Sequence, residues 1–270
     1  MGTYDIIVLD LDGTLTNSQK KITPKTKDAL MKAQCAGKKV VLASGRPTGG
    51  VTGLADELKL DLYGSYILSF NGGHIINYAD GSIIYDKTIS PEWVAPVYKE
   101  ALKAGLGILT YTDSEIIIGT PQDQYMELES RITKMPLRYV ENFAEFVDFP
   151  VNKMILTGEP EAVLKGQELM REKFGDQLNI FRSEPFYLEM MPQYIDKAYS
   201  LGILLDALKT DRTHMICCGD GFNDRSMIQM AGLGVAMANA QEEVKEVADF
   251  ITGSNDEDGV ADVVYQFMLV

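Results

Sequence analysis

Two textures of apolar patterning run along this chain. Up to about residue 70, unbroken apolar strands alternate with helical stretches. A run ends at Asp10, Thr23-Pro24 opens a helix that stops at Gly37, Lys39 to Ala43 is a second strand, another helix starts from Pro47, and Tyr66 to Phe70 is a third strand. Pro at the first helical position and Gly just past the last are the expected asymmetry. The strands lack clean alternation, as strands covered on both faces should. Right-handed crossovers then predict a doubly wound parallel sheet.

From Gly72 the runs shorten and pair. Ile75 to Tyr78, a turn at Asp80-Gly81 and Ser82 to Lys87 predict a hairpin that leaves the core. Beyond it, helices near Glu92 to Ala104, after Gln122 and over Pro160 to Phe174 are mixed with strands near Leu106 to Thr112, Glu115 to Gly119, Lys153 to Thr157, Leu178 to Arg182 and Tyr187 to Met191. That mixture predicts an α+β insert with an antiparallel sheet. Parallel texture returns at Asp196 and continues through the Cys217 and Gly234 to Met237 strands. The expected organisation is α/β: a discontinuous core at 1–83 and 191–270, and an inserted cap at 84–190.

Composition narrows the function. With 46% hydrophobic and 24% charged residues over 270 positions, the chain has material for two cores. A formal net charge of -14 without a basic cluster argues against nucleic acid. Cys35, Cys217 and Cys218 cannot all pair, which suggests a reducing compartment. No basic leader is present and no apolar run reaches ~18 residues. The expectation is a soluble, cytoplasmic monomer or small homo-oligomer without membrane contact. His74 and His214, the only histidines, lie far apart and read as structural.

Candidate chemistry gathers at strand ends, where open α/β sheets bind ligands. Val8-Leu9-Asp10-Leu11-Asp12-Gly13-Thr14-Leu15 ends an apolar run with two acids on one side of a strand before a turn. Gly219-Asp220-Gly221-Phe222-Asn223-Asp224 is a second acidic strand end. Ala43-Ser44-Gly45-Arg46-Pro47 adds a hydroxyl and a guanidinium, and Lys197 opens a helical stretch. In order and spacing the set resembles the haloacid dehalogenase-like hydrolases. Phe70-Asn71-Gly72-Gly73 and Gly234-Val235-Ala236-Met237-Ala238-Asn239-Ala240 resemble the Cof-type sugar phosphatases with a large cap. Two positions depart from that pattern, Ala198 and Ala238, where the subgroup usually has Gly.

The resemblance implies a phosphatase for a small phosphorylated metabolite. Asp10 would be the nucleophile, since a carboxylate needs no activation and forms a labile acyl phosphate. Asp12 would protonate the leaving alkoxide and then activate water, which requires its pKa to sit above that of Asp10. Mg²⁺ would be held by Asp10, Asp220 and the Asp12 backbone carbonyl, with Asp224 direct or through water. Ser44 and Lys197 would meet the phosphoryl group, Asn223 would help hold it, and Gly45, Arg46 and Asn71 are further substrate contacts, although Arg46 could instead pair with a core acid. Asn255 is a candidate at the site mouth. Tyr111, Glu115, Arg182, Tyr187 and Glu189 are unranked cap candidates for choosing the substrate, and a closing cap would exclude bulk water. Flavin mononucleotide, riboflavin-pathway phosphates and pyridoxal phosphate are alternative substrates. A phosphohexomutase-type phosphotransferase or a receiver-like switch are alternative functions.

Overall fold

The computed structural model describes residues 4–269. β1 (Ile6–Leu9), β2 (Lys39–Ala43) and β3 (Tyr66–Ser69) are separated by the helices Pro24–Cys35, Gly49–Glu57 and Leu60–Tyr63, and β4 (His74–Asn77) and β5 (Ile83–Asp86) follow. The chain then makes β6 (Gly107–Tyr111), β7 (Ile116–Ile118), β8 (Leu137–Tyr139), β9 (Met154–Thr157), β10 (Leu178–Glu184) and β11 (Tyr187–Pro192), interleaved with helices that include Val94–Lys103, Gln124–Thr133 and Pro160–Phe174. The helix Lys197–Leu208 leads back to β12 (Met215–Gly219), β13 (Leu233–Ala236) and β14 (Phe250–Ile251).

The larger sheet has the order β14-β13-β12-β1-β2-β3-β4-β5, parallel from β14 to β3. Alternate residues of its strands feed two cores, as the period of two requires. Ile7, Leu9, Val40 and Leu42 pack with Leu30 and Val264 on one face. Ile6, Val8, Val41 and Ala43 pack with Leu201 and Leu204 on the other. Both faces are therefore covered by helices, the doubly wound arrangement. The Thr23 hydroxyl accepts from Thr26 N at 3.2 Å and caps the helix that Pro24 begins.

The smaller sheet has the order β10-β11-β9-β6-β7-β8. Its Ile108, Leu156 and Met190 pack with Val97 and Met170 of the helices in a core of their own.

The chain divides into Met1–Tyr85 with Asp196–Val270, and Asp86–Ile195. Three expectations change. The β4–β5 hairpin does not leave the core but extends the larger sheet, because β3 and β4 pair antiparallel with Ile67 against Ile76. The second junction lies at 195/196 rather than at 191, since Met191 and Pro192 still pair with Asn179 and Leu178 in the smaller sheet. That sheet is also not wholly antiparallel: β8, a strand absent from the sequence reading, pairs parallel to β7 after the crossover helix Gln124–Thr133. Among the described residues no helix is long and apolar enough to cross a membrane.

Candidate active site

Each strand end presents its polar residue because the run before it is wholly buried and the chain must turn at the sheet edge. Asp10 follows β1, and its N donates to Cys218 O at 3.1 Å, so the ends of β1 and β12 are tied together. The following turn is closed by Leu15 N on Asp10 O and Thr16 N on Leu11 O, at 3.1 and 2.9 Å. Gly13 within it has φ +89°, and a Cβ there would collide with the Asp220 carboxylate. Glycine thus serves both the left-handed backbone and the approach of the second acidic strand end. The Thr14 hydroxyl donates to Asp220 Oδ1 at 2.8 Å across the same gap.

Lys197 begins the helix Lys197–Leu208, whose cap is the Asp196 side chain accepting from Tyr199 N at 3.0 Å. It is 1% exposed, and its Nζ donates to Asp224 Oδ1 at 2.6 Å, Asp10 Oδ1 at 2.9 Å and the Ala43 carbonyl at 3.0 Å. An ammonium taken out of water costs several kcal/mol unless paired and hydrogen-bonded, and here three acceptors meet that need. Burial pushes this ammonium down, but Asp10 and Asp224 outweigh it and hold it above the usual lysine range. Asp10 moves the same way for a different reason. Burial and then the charge of Asp224 push its carboxyl up to about 8, against the pull of Lys197. Burial also leads the rise of Asp220 to about 6, with Asp224 adding to it and the Thr14 hydrogen bond opposing it.

Asp10, Asp220 and Asp224 each offer a carboxylate oxygen, and these lie within 4.8 Å of one another. Three acids at this spacing with one ammonium leave an excess of negative charge, which adds to burial in raising Asp10 and Asp220. A hard divalent cation with oxygen ligands and retained waters matches that donor set. Asp224 is the most committed of the three to the protein itself. Its Oδ2 accepts from Asp220 N and Gly221 N at 3.1 and 2.9 Å while Oδ1 takes Lys197.

The Asp12 carboxylate stands outside this cluster. Arg46 Nε and Nη2 reach its Oδ2 at 3.0 and 2.7 Å, Nη2 also reaches Oδ1 at 2.8 Å, and Lys20 Nζ lies 2.7 Å from Oδ1. Burial raises its carboxyl, yet Arg46 and then Lys20 prevail and hold it below the ordinary range. This reverses the expected order, in which Asp12 has the higher pKa of the two. The reason is local: Asp12 has two cations against it, whereas Asp10 shares one ammonium with a second acid.

The remaining candidates meet at one loop pair. Ser44 O accepts from Asn71 N and Arg46 O from Phe70 N, both at 2.9 Å, while Ser44 Oγ accepts from Arg46 N at 3.2 Å. Asn223 Nδ2 donates to Asn71 Oδ1 at 3.1 Å, and a Cβ on Gly45 would come 3.1 Å from that same oxygen. Phe70 and Asn71 have φ 51° and 54°, consecutive left-handed residues where Phe in particular is disfavoured. Such strain persists only where the surroundings over-determine it, often at functional sites. Here Gly72 supplies the lock, since Ser200 Oγ donates to its carbonyl at 2.6 Å.

Asn239, from the Gly234–Ala240 motif, and Asn255 support the Asp10–Thr16 turn. Asn239 Nδ2 donates to Gly13 O at 2.8 Å, and Asn255 donates its N to Asn239 Oδ1 at 3.0 Å and its Nδ2 to Thr16 O at 2.9 Å. Asn239 is signalled in the sequence only as part of that motif, with no role attached to it.

The haloacid dehalogenase-like hydrolase family model matches residues 7–264. A crystal structure of a haloacid dehalogenase-like hydrolase from Bacteroides thetaiotaomicron is 44% identical, with a TM-score of 0.95 over 98% of this chain and 99% of that one. YxeH of Bacillus subtilis is 31% identical over 98% of this chain and 99% of its own. YcsE of the same organism, a 5-amino-6-(5-phospho-D-ribitylamino)uracil phosphatase, is 29% identical over 98% of this chain and 96% of its own.

Proposed function

We propose that this chain, which belongs to the haloacid dehalogenase-like hydrolase family and is a phosphatase, hydrolyses small phosphomonoesters, sugar phosphates foremost, through an aspartyl-phosphate on Asp10. The observation that carries the reading is the buried Lys197 ammonium bridging Asp10 and Asp224 beside Asp220. A cation and an acid cluster at the ends of strands β1 and β12 are what in-line transfer of a charged phosphoryl group requires.

In this reading an Asp10 oxygen attacks phosphorus as the ester P–O bond breaks, and Asp12 gives its proton to the departing alkoxide. Water then attacks the aspartyl-phosphate, Asp12 takes back a proton, and the bond between Asp10 and phosphorus breaks to release phosphate. With Arg46 and Lys20 holding its carboxyl below the ordinary range, Asp12 favours the ionised form that the second step needs. For the first, Arg46 must loosen its grip, and a substrate phosphate is the anion able to compete for that guanidinium. Ser44, Gly45, Asn71 and Asn223 would orient the phosphate. Asp10, Asp220 and Asp224, with the Asp12 backbone carbonyl, would hold Mg²⁺, which when bound supplies positive charge to the phosphoryl oxygens. Residues 86–195 we assign to substrate choice.

The test is phosphate release from a panel of sugar phosphates, flavin mononucleotide, pyridoxal phosphate and p-nitrophenyl phosphate, with Mg²⁺ or EDTA. Release that needs Mg²⁺ and vanishes in Asp10→Asn is expected. Isomerised sugar phosphate without free phosphate would replace hydrolysis with a mutase reaction.

A further inference from the structure

The five residues after the Asp10–Thr16 turn form an exposed loop that is nonetheless closely built. Asn17 Oδ1 accepts from Gln19 N and Lys21 N at 3.0 and 3.1 Å, a side chain standing in for backbone in a turn. Lys20 N donates to Asn17 O at 2.8 Å, and Asn17 N donates to Lys21 O at 3.0 Å, so the loop is closed at its base. Ser18 to Lys21 are all exposed, which leaves polar contacts to fix the loop's place.

Those contacts come from the far end of the chain. Ser18 N and Oγ donate to Asp256 Oδ1 and Oδ2 at 2.8 and 2.6 Å, beside Asn255, which holds Thr16 O. The loop so docked delivers one side chain to the site: Lys20 Nζ lies 2.7 Å from Asp12 Oδ1. To do so Lys20 takes φ 59°, a left-handed backbone that residues with a Cβ disfavour. Stability does not account for the arrangement. The Lys20 and Asp12 side chains are 64% and 36% exposed, and ion pairs at such exposure add little. Strain kept for a pair of small structural value is the pattern of a functional site.

Arg46 and Lys20 divide the Asp12 carboxylate between them. Arg46 grips Oδ2 through both Nε and Nη2 and reaches Oδ1 through Nη2 alone, whereas Lys20 contacts Oδ1 only. Among the described residues these two are the carboxylate's side-chain partners. Their supports differ as well. Arg46 follows Ser44 and Gly45 at the end of β2, among the groups assigned to the phosphate, so an arriving anion competes for it. Lys20 stands on the separately docked loop and stays when Arg46 shifts. Oδ2 is then released while Oδ1 remains held, and one held oxygen fixes a carboxyl plane that would otherwise turn about a soft terminal torsion.

We infer that Lys20 is a positioning residue for the reaction: it holds Asp12 Oδ1 while Oδ2, vacated by Arg46, is the oxygen that carries the proton. The inference rests on the phosphatase reading and assigns the two Asp12 oxygens separate tasks. In the first step the Oδ2–H bond breaks as the ester P–O bond does, its proton goes to the departing alkoxide, and the carboxylate that remains keeps the Lys20 ammonium as counterion. In the second step a proton of the attacking water returns to Oδ2. Lys20 gives up no proton in either.

The experiment exploits the leaving group. An alkoxide needs a proton to depart, whereas nitrophenolate leaves as a stable anion, and kcat/KM reports the steps through the first P–O cleavage. With Mg²⁺ present, kcat/KM is measured for p-nitrophenyl phosphate and for whichever of glucose 6-phosphate, ribose 5-phosphate and glycerol 3-phosphate wild type hydrolyses best. In Lys20→Met the alkyl-to-nitrophenyl ratio should fall about tenfold, part of the ~100 to 10,000-fold that a placed general acid supplies. Lys20→Arg, which keeps a cationic donor, should restore part of the ratio. Both substitutions are on an exposed side chain, so melting temperatures should match wild type. An unchanged ratio in Lys20→Met overturns the role, and so does a ratio that Arg leaves as low as Met does. A rise in KM for both substrates at constant ratio would put Lys20 on the phosphate instead. Wild type that hydrolyses p-nitrophenyl phosphate alone has no acid at work, which overturns the inference and leaves a phosphatase. Wild type that hydrolyses none of the four overturns the phosphatase reading and the role of Lys20 with it.

Discussion

Arg46 holds Asp12 with a forked grip, Nε and Nη2 on Oδ2 at 3.0 and 2.7 Å, so the residue assigned to proton transfer is ionised and restrained until something else claims the guanidinium. Arg46→Ala should raise the Asp12 pKa. The alkaline limb of the kcat/KM profile, where the protonated Asp12 needed in the first step is lost, should then move to higher pH. Arg46→Lys should restore part of the shift, because a point charge replaces the fork. A pH–rate profile from pH 4 to 8 with an unmoved alkaline limb would detach Arg46 from Asp12's role.

Asp10→Asn should reduce turnover by roughly 10⁴-fold or more, as for other nucleophile deletions. Lys197→Met should be less severe chemically and more severe structurally. It leaves Asp10 and Asp224 facing each other without their ammonium, a loss of about 3–5 kcal/mol of the kind seen when one partner of a buried pair is removed. Urea melts of the two variants would show the contrast, and equal stability would refute it.

Without a cation, the acid cluster makes stability depend on pH with a definite sign. Burial pushes Asp10 up to about 8 and Asp220 up to about 6 in the folded state, against 3.8 for an unperturbed carboxyl. The folded protein therefore binds more protons than the unfolded chain between roughly pH 4 and 8, and this contribution to stability is lost as pH rises through that window. Mg²⁺ must displace those protons, so the rise in melting temperature on adding it to EDTA-treated protein should be larger at pH 8 than at pH 6. A rise independent of pH would mean that the cation is held elsewhere.

Gly72→Ala tests whether the strained Phe70–Asn71 turn is locked from behind. At φ 100° the added methyl would lie 2.5 Å from Ser200 Oγ and 2.9 Å from Asp196 O, so either the turn or the start of the Lys197 helix must shift. Chemical denaturation should show a loss of about 2–3 kcal/mol, in the range of overpacked sites, with a higher KM. Ser200→Ala, which removes only the hydroxyl, should cost about 1 kcal/mol.

How much of this is legible in one sequence depends on the range of the forces involved. Asp10, Asp220 and Ser44 are readable because an apolar run followed by a turn is a local pattern with one structural outcome. Lys197 is readable only in company with them, since a lysine at a helix start is otherwise a solvated charge. The Arg46–Asp12 pair is weighed but not decided, because nothing local tells whether the guanidinium faces a ligand or an acid 34 positions away. Glu129 and Lys153 leave no trace as buried groups: on a helix and at the start of a strand they look like surface charges, and only the register of a sheet assembled from distant strands buries them. The β4–β5 hairpin misleads for a related reason, as a hairpin's local signal is the same at a sheet edge and outside it.

Asp10 and the ammonium that neutralises it are separated by 187 positions, and strand β1 meets its partner β12 only after the whole excursion through residues 86–195 has been made. At ribosomal speeds of about 5–20 residues per second, the first acid waits roughly 10 to 40 s for its counterion. A nascent or truncated chain thus carries the nucleophile without the means to use it. Placing half of the machinery late in the message makes completion of synthesis the condition for activity, and it leaves the open edge of β1 as the surface most in need of protection while the chain is being born.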